Sequence, residues 1–433
     1  MEMRILIENG GYRITNMGDL AMLQIAVSRL KDLWPGALIE VLTSRPDLLT
    51  KFCPEVRPLV GPDSCIRFSS LLPRLDRLMP NSAARQHLCE FEWKMHQHLP
   101  FLTRPLLQRK LKKMSAHSKT INSLVRIVEA ADLVVASGGG YITDFFYGSA
   151  VRALQILNLA TWLDKPTVML GHGLGPLQNP EIWTQAKLVL PRVDLISLRE
   201  SRAGMPLLNS LGVSHNRVMT TGDDAIELAY KARNTACGDG IGVNLRVTKY
   251  SSVDTDALEI VRSALQHVAR EKSVPLIPVP IANYETEDDP KAIQKLLAGY
   301  DDDSDGGQDL DTPLKVIEQI GRCRVVVTGS YHGGVFALAQ GIPVVCIAKS
   351  KYYVDKFLGL AEQFGTGCEV ICMDEGHLRE NLIFAIDNAG RLAEEVRAQL
   401  LESAKQQVEL SHAAYQQVYK LVESRRAVLS KVH

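Results

Sequence analysis

Short hydrophobic runs alternate with longer stretches of helical spacing along most of the chain. RILIE at residues 4–8 is a predicted strand, and NMGDLAMLQIAVSRLKDL at 16–33 follows as a predicted helix. Further strands are predicted in IEVLT, DLVVA, TVMLG, LISLR, RVMTT, IGVNLR, PLIPVPI, VVVTG and PVVCIAK. Runs of β-branched residues that end at Gly, Asp or Ser, with helices between them, are typical of βαβ units. The pattern therefore predicts an α/β protein with parallel sheets.

Changes in this pattern give the domain boundaries. The polar segment ARNTACGDG precedes a new strand, so we predict an N-terminal Rossmann-like domain over 1–235 and a C-terminal one over 236–390. Residues 61–130 are basic and broken by prolines, and we interpret them as a helical insertion in the first domain. Helical spacing over 391–433 predicts a last helix that packs across both domains. Two doubly wound domains facing one another place a cleft at the ends of their strands.

Composition excludes several classes of protein. The 433 residues carry 49 Lys plus Arg and 49 Asp plus Glu, so the formal net charge is zero and no nucleic-acid partner is expected. No apolar run is long enough to predict a transmembrane segment, and the first residues do not resemble a signal peptide. The eight cysteines form no CxxC pair, so we expect reduced thiols, a cytoplasmic location and no metal site.

The basic insertion leaves two interpretations open. RKLKK at 109–113 is interpreted first as a solvated helix face. The alternative is a dock for an anionic lipid-linked substrate, which would bring the protein into peripheral contact with a membrane surface. The sequence does not fix the oligomeric state and leaves a homo-oligomer open.

The candidate functional residues of the first domain lie just after its predicted strands. NMGDLAML opens the first helix, where Asp19 would cap the helix or bind a substrate hydroxyl. SGGGYITDFF follows another strand, and its three glycines either expose backbone amides to an anion or sugar oxygen or form a tight turn. His172 in GHGLGP and Arg199 in SLRES stand at further strand ends, to meet a ligand or to make structural contacts.

The strongest motif lies in the second domain, in VVVTGSYHGGVFALAQGIPVVCIAKSK. His332 follows a strand and begins an apolar helix beside Ser330 and Gly333, where an imidazole would sit next to an anion site. The next strand is expected to bring Lys349 and Lys351 to the same edge. Arg246 follows the first strand of this domain and also faces the predicted cleft. An acid–base group and cations are therefore predicted to meet at one edge.

In these motifs the chain resembles the polysaccharide pyruvyl transferase family. The resemblance rests on the early N-x-GD, the GGG turn, GHGLGP, LISLRE, TGDDA, VNLR and the segment H-x-x-x-F-A-L-A-x-G-I-P-V that begins at His332. It implies a GT-B-like fold, phosphoenolpyruvate as co-substrate without a further cofactor, and ketal formation on two hydroxyls of a sugar, an oligosaccharide or a lipid-linked glycan of a cell-surface polysaccharide.

With that resemblance, His332 is the expected catalytic acid. The expected donor-binding residues are Arg199, Arg246, Ser330, Gly333, Lys349 and Lys351. The expected acceptor-binding residues are Asn16, Gly18, Asp19, Gly138, Gly139, Gly140, Asp144 and His172. The family usually has an Arg where this chain has Ser330, so another cation is expected to hold the donor here.

Two other functions fit the same architecture. A GT-B glycosyltransferase would bind the diphosphate of a nucleotide sugar at the strand ends of the second domain. A non-catalytic binding protein would keep the fold without the chemistry, and Ser330 in place of Arg is the feature that keeps this interpretation open.

Overall fold

The computed structural model describes residues 2–10, 12–60, 71–72, 75, 78–248, 251–284, 287–374 and 376–430. The strands are β1 Arg4–Glu8, β2 Leu38–Thr43, β3 Arg57–Val60, β4 Leu133–Ala136, β5 Gly139–Ile142, β6 Thr167–Leu174, β7 Leu195–Leu198, β8 Val218–Thr220, β9 Gly240–Asn244, β10 Leu276–Pro278, β11 Asn283–Tyr284, β12 Glu287–Asp288, β13 Cys323–Thr328, β14 Val344–Ala348 and β15 Cys368–Cys372. The α-helices are Met17–Leu33, Pro46–Phe52, Ser82–His98, Pro100–His117, Lys119–Ala130, Tyr147–Trp162, Pro180–Val189, Gly204–Ser210, Ala225–Lys231, Thr255–Lys272, Asp289–Leu297, Pro313–Ile320, Tyr331–Ala339, Lys351–Phe364 and Leu378–Ser430. Short 3₁₀ turns span Asp144–Phe146, Leu190–Arg192 and His215–Arg217.

The first sheet is parallel and belongs to the N-terminal half. Its order is β3-β2-β1-β4-β6-β7-β8, with β5 beside β6. The central strand β1 places Ile5 opposite Ile39 on one side and Leu133 on the other. Helices cover both faces of such a sheet, so its strands are near-continuous hydrophobic runs. This explains why these strands could be predicted from the sequence.

The second sheet is also parallel and belongs to the C-terminal half. Its order is β10-β9-β13-β14-β15, and Val326 pairs with Gly242 and Val344. A separate two-stranded antiparallel pair is formed by β11 and β12. The predicted α/β class with two Rossmann-like domains is therefore confirmed. The sequence pattern did not predict β3, β5, β11, β12 and β15.

Each sheet has one point at which its strand order reverses. In the first sheet this point lies between β1 and β4, and in the second it lies between β9 and β13. Ligands of open α/β sheets bind outside the carboxyl ends of the strands at such a point. The two reversal points face one another, because Met17 N, just after β1, donates a 2.8 Å hydrogen bond to the carbonyl of Ile281 in the second half.

Most of the described part of the basic insertion is helical. It contributes the helices Ser82–His98, Pro100–His117 and Lys119–Ala130. Leu107 and Leu111 are buried against the first sheet in one hydrophobic cluster with Leu6, Leu124 and Trp162. The part of the predicted insertion at residues 61–70, 73–74 and 76–77 lies outside the described residues.

The last helix begins at Leu378, earlier than the predicted start at 391, and contacts both halves. In the second half, the Arg397 guanidinium donates to the carbonyl of Gln340 at 3.0 Å. In the first half, the Tyr415 hydroxyl donates to Asp224 at 2.8 Å, and Trp34 Nε1 donates to Glu423 at 2.9 Å. Over the parts of the chain described here, none of the helices is long and apolar enough to cross a membrane.

Candidate active site

A cavity of about 630 Å³ opens between the carboxyl ends of the two sheets. From the first half it is lined by Gly10, Tyr12, Arg13, Asn16, Asp19, Ser44, Gly140, Tyr141, Phe145, Phe146, Tyr147, Gly148, Ser149, Arg152 and Arg199. From the second half it is lined by Arg246, Ile281, Ser330, Tyr331, His332, Tyr353 and Lys356. The cavity therefore joins the two strand-reversal points.

His332 lies where the sequence places it, at the first turn of the helix Tyr331–Ala339 that follows β13. Its side chain is 8% exposed and faces the first half of the molecule. A Cβ atom added to Gly18 would lie 1.9 Å from His332 Cγ, so glycine is needed there to admit the ring. Ser330 stands at the N-cap position of this helix and lines the cavity, but its hydroxyl oxygen has no hydrogen-bond partner among the described residues.

A buried carboxylate holds the imidazole and a guanidinium together. Asp223 Oδ2 is 3.5 Å from His332 Nε2 and accepts from Arg199 Nη1 at 3.4 Å. Burial opposes ionisation of Asp223, but the hydrogen bond and charge of His332 and the charge of Arg199 outweigh it and lower the pKa of this carboxyl. Asp223 is thus an anion that can stabilise a positively charged imidazole.

Arg199 and Arg246 reach the cavity from opposite halves. The Arg199 guanidinium stacks 3.9 Å from the ring centre of Tyr331, and Arg246 Nη1 donates to Asp289 at 3.0 Å. Asp289 is itself fixed by the backbone amides of Ile281 and Ala282, at 3.0 and 2.9 Å. Both arginines are buried and have rigid partners, so their remaining donors are preorganised toward an anion.

Lys356 is a third cation, half-buried, and sequence reasoning missed it. It lies on the helix Lys351–Phe364, lines the cavity and donates to the Tyr352 hydroxyl. Burial lowers its pKa well below the usual value, and the charge of Arg199 lowers it further, against the opposing effect of Asp19. An ammonium group in this position would gain from a bound anion.

Asp19 stands across the cavity from these cations, at the start of the helix Met17–Leu33. The Asn16 side chain caps this helix by accepting from the amides of Gly18 at 2.9 Å and Asp19 at 3.1 Å. Burial raises the pKa of Asp19, although the charges of His332 and Arg199 act against it. Its carboxyl group is therefore easier to protonate than an exposed aspartate and suits proton exchange with a substrate hydroxyl.

Gly140 is the one glycine of the GGG turn that lines the cavity. A Cβ atom at this position would lie 2.8 Å from Arg199 Nη2 and 3.0 Å from Lys356 Nζ. The absence of a side chain therefore leaves room where two cations converge. Residues 139–142 form β5 rather than an open turn, and the Gly140 carbonyl accepts from the Tyr352 hydroxyl at 3.4 Å.

One wall of the cavity is aromatic and is anchored by an ion pair. The Arg152 guanidinium stacks 3.8 Å from the ring centre of Tyr12, and its Nε donates to Glu8 at 2.9 Å. Glu8 is fully buried, and burial raises its pKa to about 7 against the effect of Arg152. Phe145 and Tyr147 are partly exposed along the same wall. Flat rings beside polar groups suit a sugar ring.

The two predicted lysines do not line the cavity. Lys349 pairs with Asp254 and Asp374 away from it. The Lys351 side chain is 86% exposed and pairs with Asp355 at 2.7 Å. Lys351 begins the helix and points outward, whereas Lys356 is on the helix face that packs against the first half. The expectation that Lys349 and Lys351 meet His332 at one edge is therefore wrong.

Other predicted residues support the cavity from behind. His172 is fully buried because β6 continues through it to Leu174, and its Nε2 lies 3.1 Å from the carbonyl of Ala136. Burial lowers its pKa to about 4, so the ring is neutral. The Asp144 carboxylate accepts from the amides of Gln178 at 2.6 Å and Asn179 at 3.1 Å, which fixes a loop. Neither side chain reaches the cavity.

Three predicted glycines also pack rather than line the cavity. An added Cβ at Gly138 would lie 2.8 Å from Met22 Sδ, and one at Gly139 would lie 2.7 Å from the Tyr141 ring. At Gly333 it would lie 2.5 Å from Thr328 Oγ1. These positions allow close packing behind the site. Of the predicted site residues, the structure brings together Asn16, Asp19, Gly140, Arg199, Arg246, Ser330 and His332 around the cavity, with Gly18 against His332.

Asp223 and Lys356 carried only weak sequence signals. Asp223 stands in TGDDA, directly after β8, which is the kind of strand end that yielded the other candidates. Lys356 lies inside an amphipathic helix, where a lysine ordinarily faces solvent. Among the described residues, no group of three or more His, Cys, Asp or Glu side chains is arranged to hold a metal ion.

Comparison with known proteins agrees with this geometry. A family model described as polysaccharide pyruvyl transferase matches residues 16–350. Similar folds include a putative UDP-N-acetylglucosamine 2-epimerase from Listeria monocytogenes, with a TM-score of 0.57, 13% identity and coverage of 99% of this chain and 97% of that chain. UDP-GlcNAc 2-epimerase from Neisseria meningitidis, bound to UDP-GlcNAc, gives a TM-score of 0.51, 10% identity and coverage of 98% and 100%. At these identities the similarity concerns the fold, and it confirms the GT-B-like arrangement.

Proposed function

The chain belongs to the polysaccharide pyruvyl transferase family, and from that premise we propose that it transfers the enolpyruvyl group of phosphoenolpyruvate to a sugar diol, forming a pyruvate ketal. The observation that carries the proposal is the lining of one cavity by His332 together with the cations Arg199, Arg246 and Lys356. Phosphoenolpyruvate is a small anion with a carboxylate and a phosphate, and three cations match its charge.

The cations would bind the donor before any chemistry occurs. Arg199 and Arg246 come from different halves, so a donor bound between them would hold the cavity walls at a fixed spacing. A bound phosphate would raise the pKa of Lys356, because an adjacent anion opposes the effect of burial. With Ser330 at the position of the family arginine, Arg246 supplies a guanidinium on the same wall. The proposal needs no cofactor besides the co-substrate.

His332 would act as the acid. It would protonate the methylene carbon of phosphoenolpyruvate, which turns that carbon into a methyl group and leaves an oxocarbenium-like centre on the carbon bearing the phosphate. Asp223 would stabilise the charged imidazole before transfer and keep the ring oriented. A first sugar hydroxyl adds to the centre, inorganic phosphate leaves, and a second hydroxyl closes the ketal. Each hydroxyl loses its proton as its new C–O bond forms.

The acceptor would bind on the side of the first half. Asp19 is placed to accept a hydroxyl proton, and its raised pKa makes it a better base than an ordinary aspartate. Tyr12, Phe145 and Tyr147 would lie against the sugar ring along the aromatic wall. The acceptor is then a glycan in cell-surface polysaccharide biosynthesis that carries two neighbouring free hydroxyls.

The decisive experiment measures phosphate release and ketal formation, the latter by mass spectrometry, with phosphoenolpyruvate and a panel of glycans. His332→Ala is expected to lower turnover about 10²- to 10⁴-fold, because it removes the acid. His267→Ala is the control, since that histidine lies on the surface beside Glu271. Wild-type turnover in a folded His332→Ala variant would contradict the mechanism.

Thermal shift separates the donor from a nucleotide sugar. Phosphoenolpyruvate at about 100 times its Kd should stabilise the protein by about 2.7 kcal/mol. Stabilisation by UDP-GlcNAc alone would instead favour glycosyl transfer, and stabilisation by neither donor would favour a non-catalytic binding protein.

A further inference from the structure

The helical insertion has a charge asymmetry that the whole chain lacks. Between Glu92 and Glu129 the sequence contains eight Lys or Arg residues and no Asp or Glu, although the chain as a whole has 49 of each sign. A stretch without carboxylates cannot neutralise its own cations internally. Cations of the segment that meet no carboxylate from elsewhere in the chain give it a positive surface.

The helix Pro100–His117 within this stretch has one packed face and one outward face. Thr103, Leu107 and Leu111, spaced four residues apart, are buried toward the first sheet. On the outward face, Phe101 is 69% exposed, and Leu102 and Leu106 are exposed by 48% and 41%. Large apolar side chains are clustered on one surface here, rather than scattered singly.

Cations follow the apolar residues along the same outward face. Arg109, Lys112 and Lys113 are exposed on the next turns of the helix. Arg104, nearer the beginning, is paired with Asp164 at 3.0 Å. Phe91, on the helix Ser82–His98, and Leu99, between the two helices, are also exposed. The outward face is thus apolar toward its beginning and basic toward its end.

We propose that this outward face of the helix Pro100–His117 docks on the surface of an anionic phospholipid bilayer. Phe101, Leu102 and Leu106 insert at the boundary between headgroups and acyl chains, while Arg109, Lys112 and Lys113 contact lipid phosphates. A nucleic acid would explain the cations but not three large apolar side chains among them. No spanning helix is required, since interfacial binding buries only one face.

The proposal is tested with the full-length protein and sedimented vesicles, without any sugar or phosphoenolpyruvate, so it succeeds or fails independently of the proposed chemistry. Vesicles of phosphatidylcholine alone are compared with vesicles containing phosphatidylglycerol as a minor component, at low and high salt. We expect the protein to bind the anionic vesicles, and we expect this binding to weaken as salt rises because salt screens the attraction between the cations and the lipid phosphates. Binding to a DNA duplex is measured in parallel.

Two double variants separate the contribution of the cations to vesicle binding from that of the apolar side chains. Arg109→Gln with Lys112→Gln is expected to weaken binding roughly 25-fold, about five-fold for each cation removed. Phe101→Ser with Leu102→Ser is expected to weaken it roughly ten-fold or more, and to do so at high salt as well. Phe384→Ser is the matched control, because Phe384 is 70% exposed and lies on the last helix. Melting curves establish that each variant is folded.

Loss of binding in both double variants, with the control unchanged, supports the proposal. Equal binding to neutral and anionic vesicles, unchanged binding in the folded double variants, or no vesicle binding by the wild type overturns it. Tight binding to DNA without binding to vesicles also overturns it and assigns the face to a polyanion instead.

Discussion

Asp223 and His332 come from different halves of the molecule and meet at 3.5 Å, with Arg199 on the same carboxylate oxygen at 3.4 Å. The acid proposed for catalysis is therefore complete only when the two halves are docked. Neither half alone contains both the imidazole and its anionic partner.

Replacing Asp223 tests this link. Asp223→Asn keeps the shape but removes the negative charge, so the charged imidazole loses its stabilisation. We expect kcat to fall roughly 10- to 100-fold, a part of the whole contribution of a general acid. Melting curves establish whether the variant is folded, and a wild-type kcat in the folded variant would contradict the role given to Asp223.

Lys356 and Lys351 form a natural pair of variants on one helix. Lys356→Met removes a half-buried cation from the cavity and should raise KM for phosphoenolpyruvate roughly 10- to 100-fold, since hydrogen bonds to charged groups contribute most to binding. Lys351→Met removes an exposed lysine paired with Asp355 and should leave KM nearly unchanged. Equal effects of the two substitutions would contradict the placement of the donor.

The lowered pKa of Lys356 predicts that the protein takes up protons when it binds the donor. Burial lowers its pKa in the free protein, and a bound anion raises it again, so binding should take up protons where the free amine is partly neutral. Affinity for phosphoenolpyruvate should then fall as pH rises through the range in which the free amine loses its proton. Calorimetry in buffers of different ionisation enthalpy measures the uptake. It should vanish in Lys356→Met, and an uptake that persists would assign the proton to another group.

Replacing Gly140 tests whether the donor needs the space between Arg199 and Lys356. In Gly140→Ala the new methyl would lie 2.8 Å from Arg199 Nη2 and 3.0 Å from Lys356 Nζ, so the ends of both side chains must move. We expect KM for phosphoenolpyruvate to rise while the melting temperature stays close to that of the wild type. Gly148→Ala is the control on the same cavity wall, because nothing lies within 4 Å of its added Cβ. A normal KM in Gly140→Ala would argue against donor binding there.

The lowered pKa of His172 predicts how the free energy of unfolding depends on pH. Burial lowers its pKa from 6.5 to about 4, so below pH 6.5 the unfolded chain binds a proton that the folded chain refuses. The free energy of unfolding should therefore fall as pH drops from about 6.5 toward 4, by roughly 3 kcal/mol from this residue. Urea unfolding of His172→Gln should show a flatter acid limb than the wild type. An acid limb as steep as that of the wild type in the folded His172→Gln variant would assign the proton to another group.

The features that could be predicted are those that a local sequence pattern determines. β1 coincides with RILIE, and His332 lies at a helix start because Gly329 and Ser330 end a buried strand. His172 was misplaced because nothing in GHGLGP marks how far β6 continues into the buried sheet. The inward position of Lys356 depends on how its helix packs against the other half, and the contact of Asp223 with His332 crosses between halves. Such relationships arise from docking, which periodicity along one chain does not encode.

The long helix Leu378–Ser430 reaches back from the second half to the first, where Ser411 and Tyr415 donate to Asp224, the neighbour of Asp223. This helix therefore fixes the backbone next to the carboxylate that contacts His332. A truncation within this helix is therefore expected to lower activity, although it removes no side chain that lines the cavity.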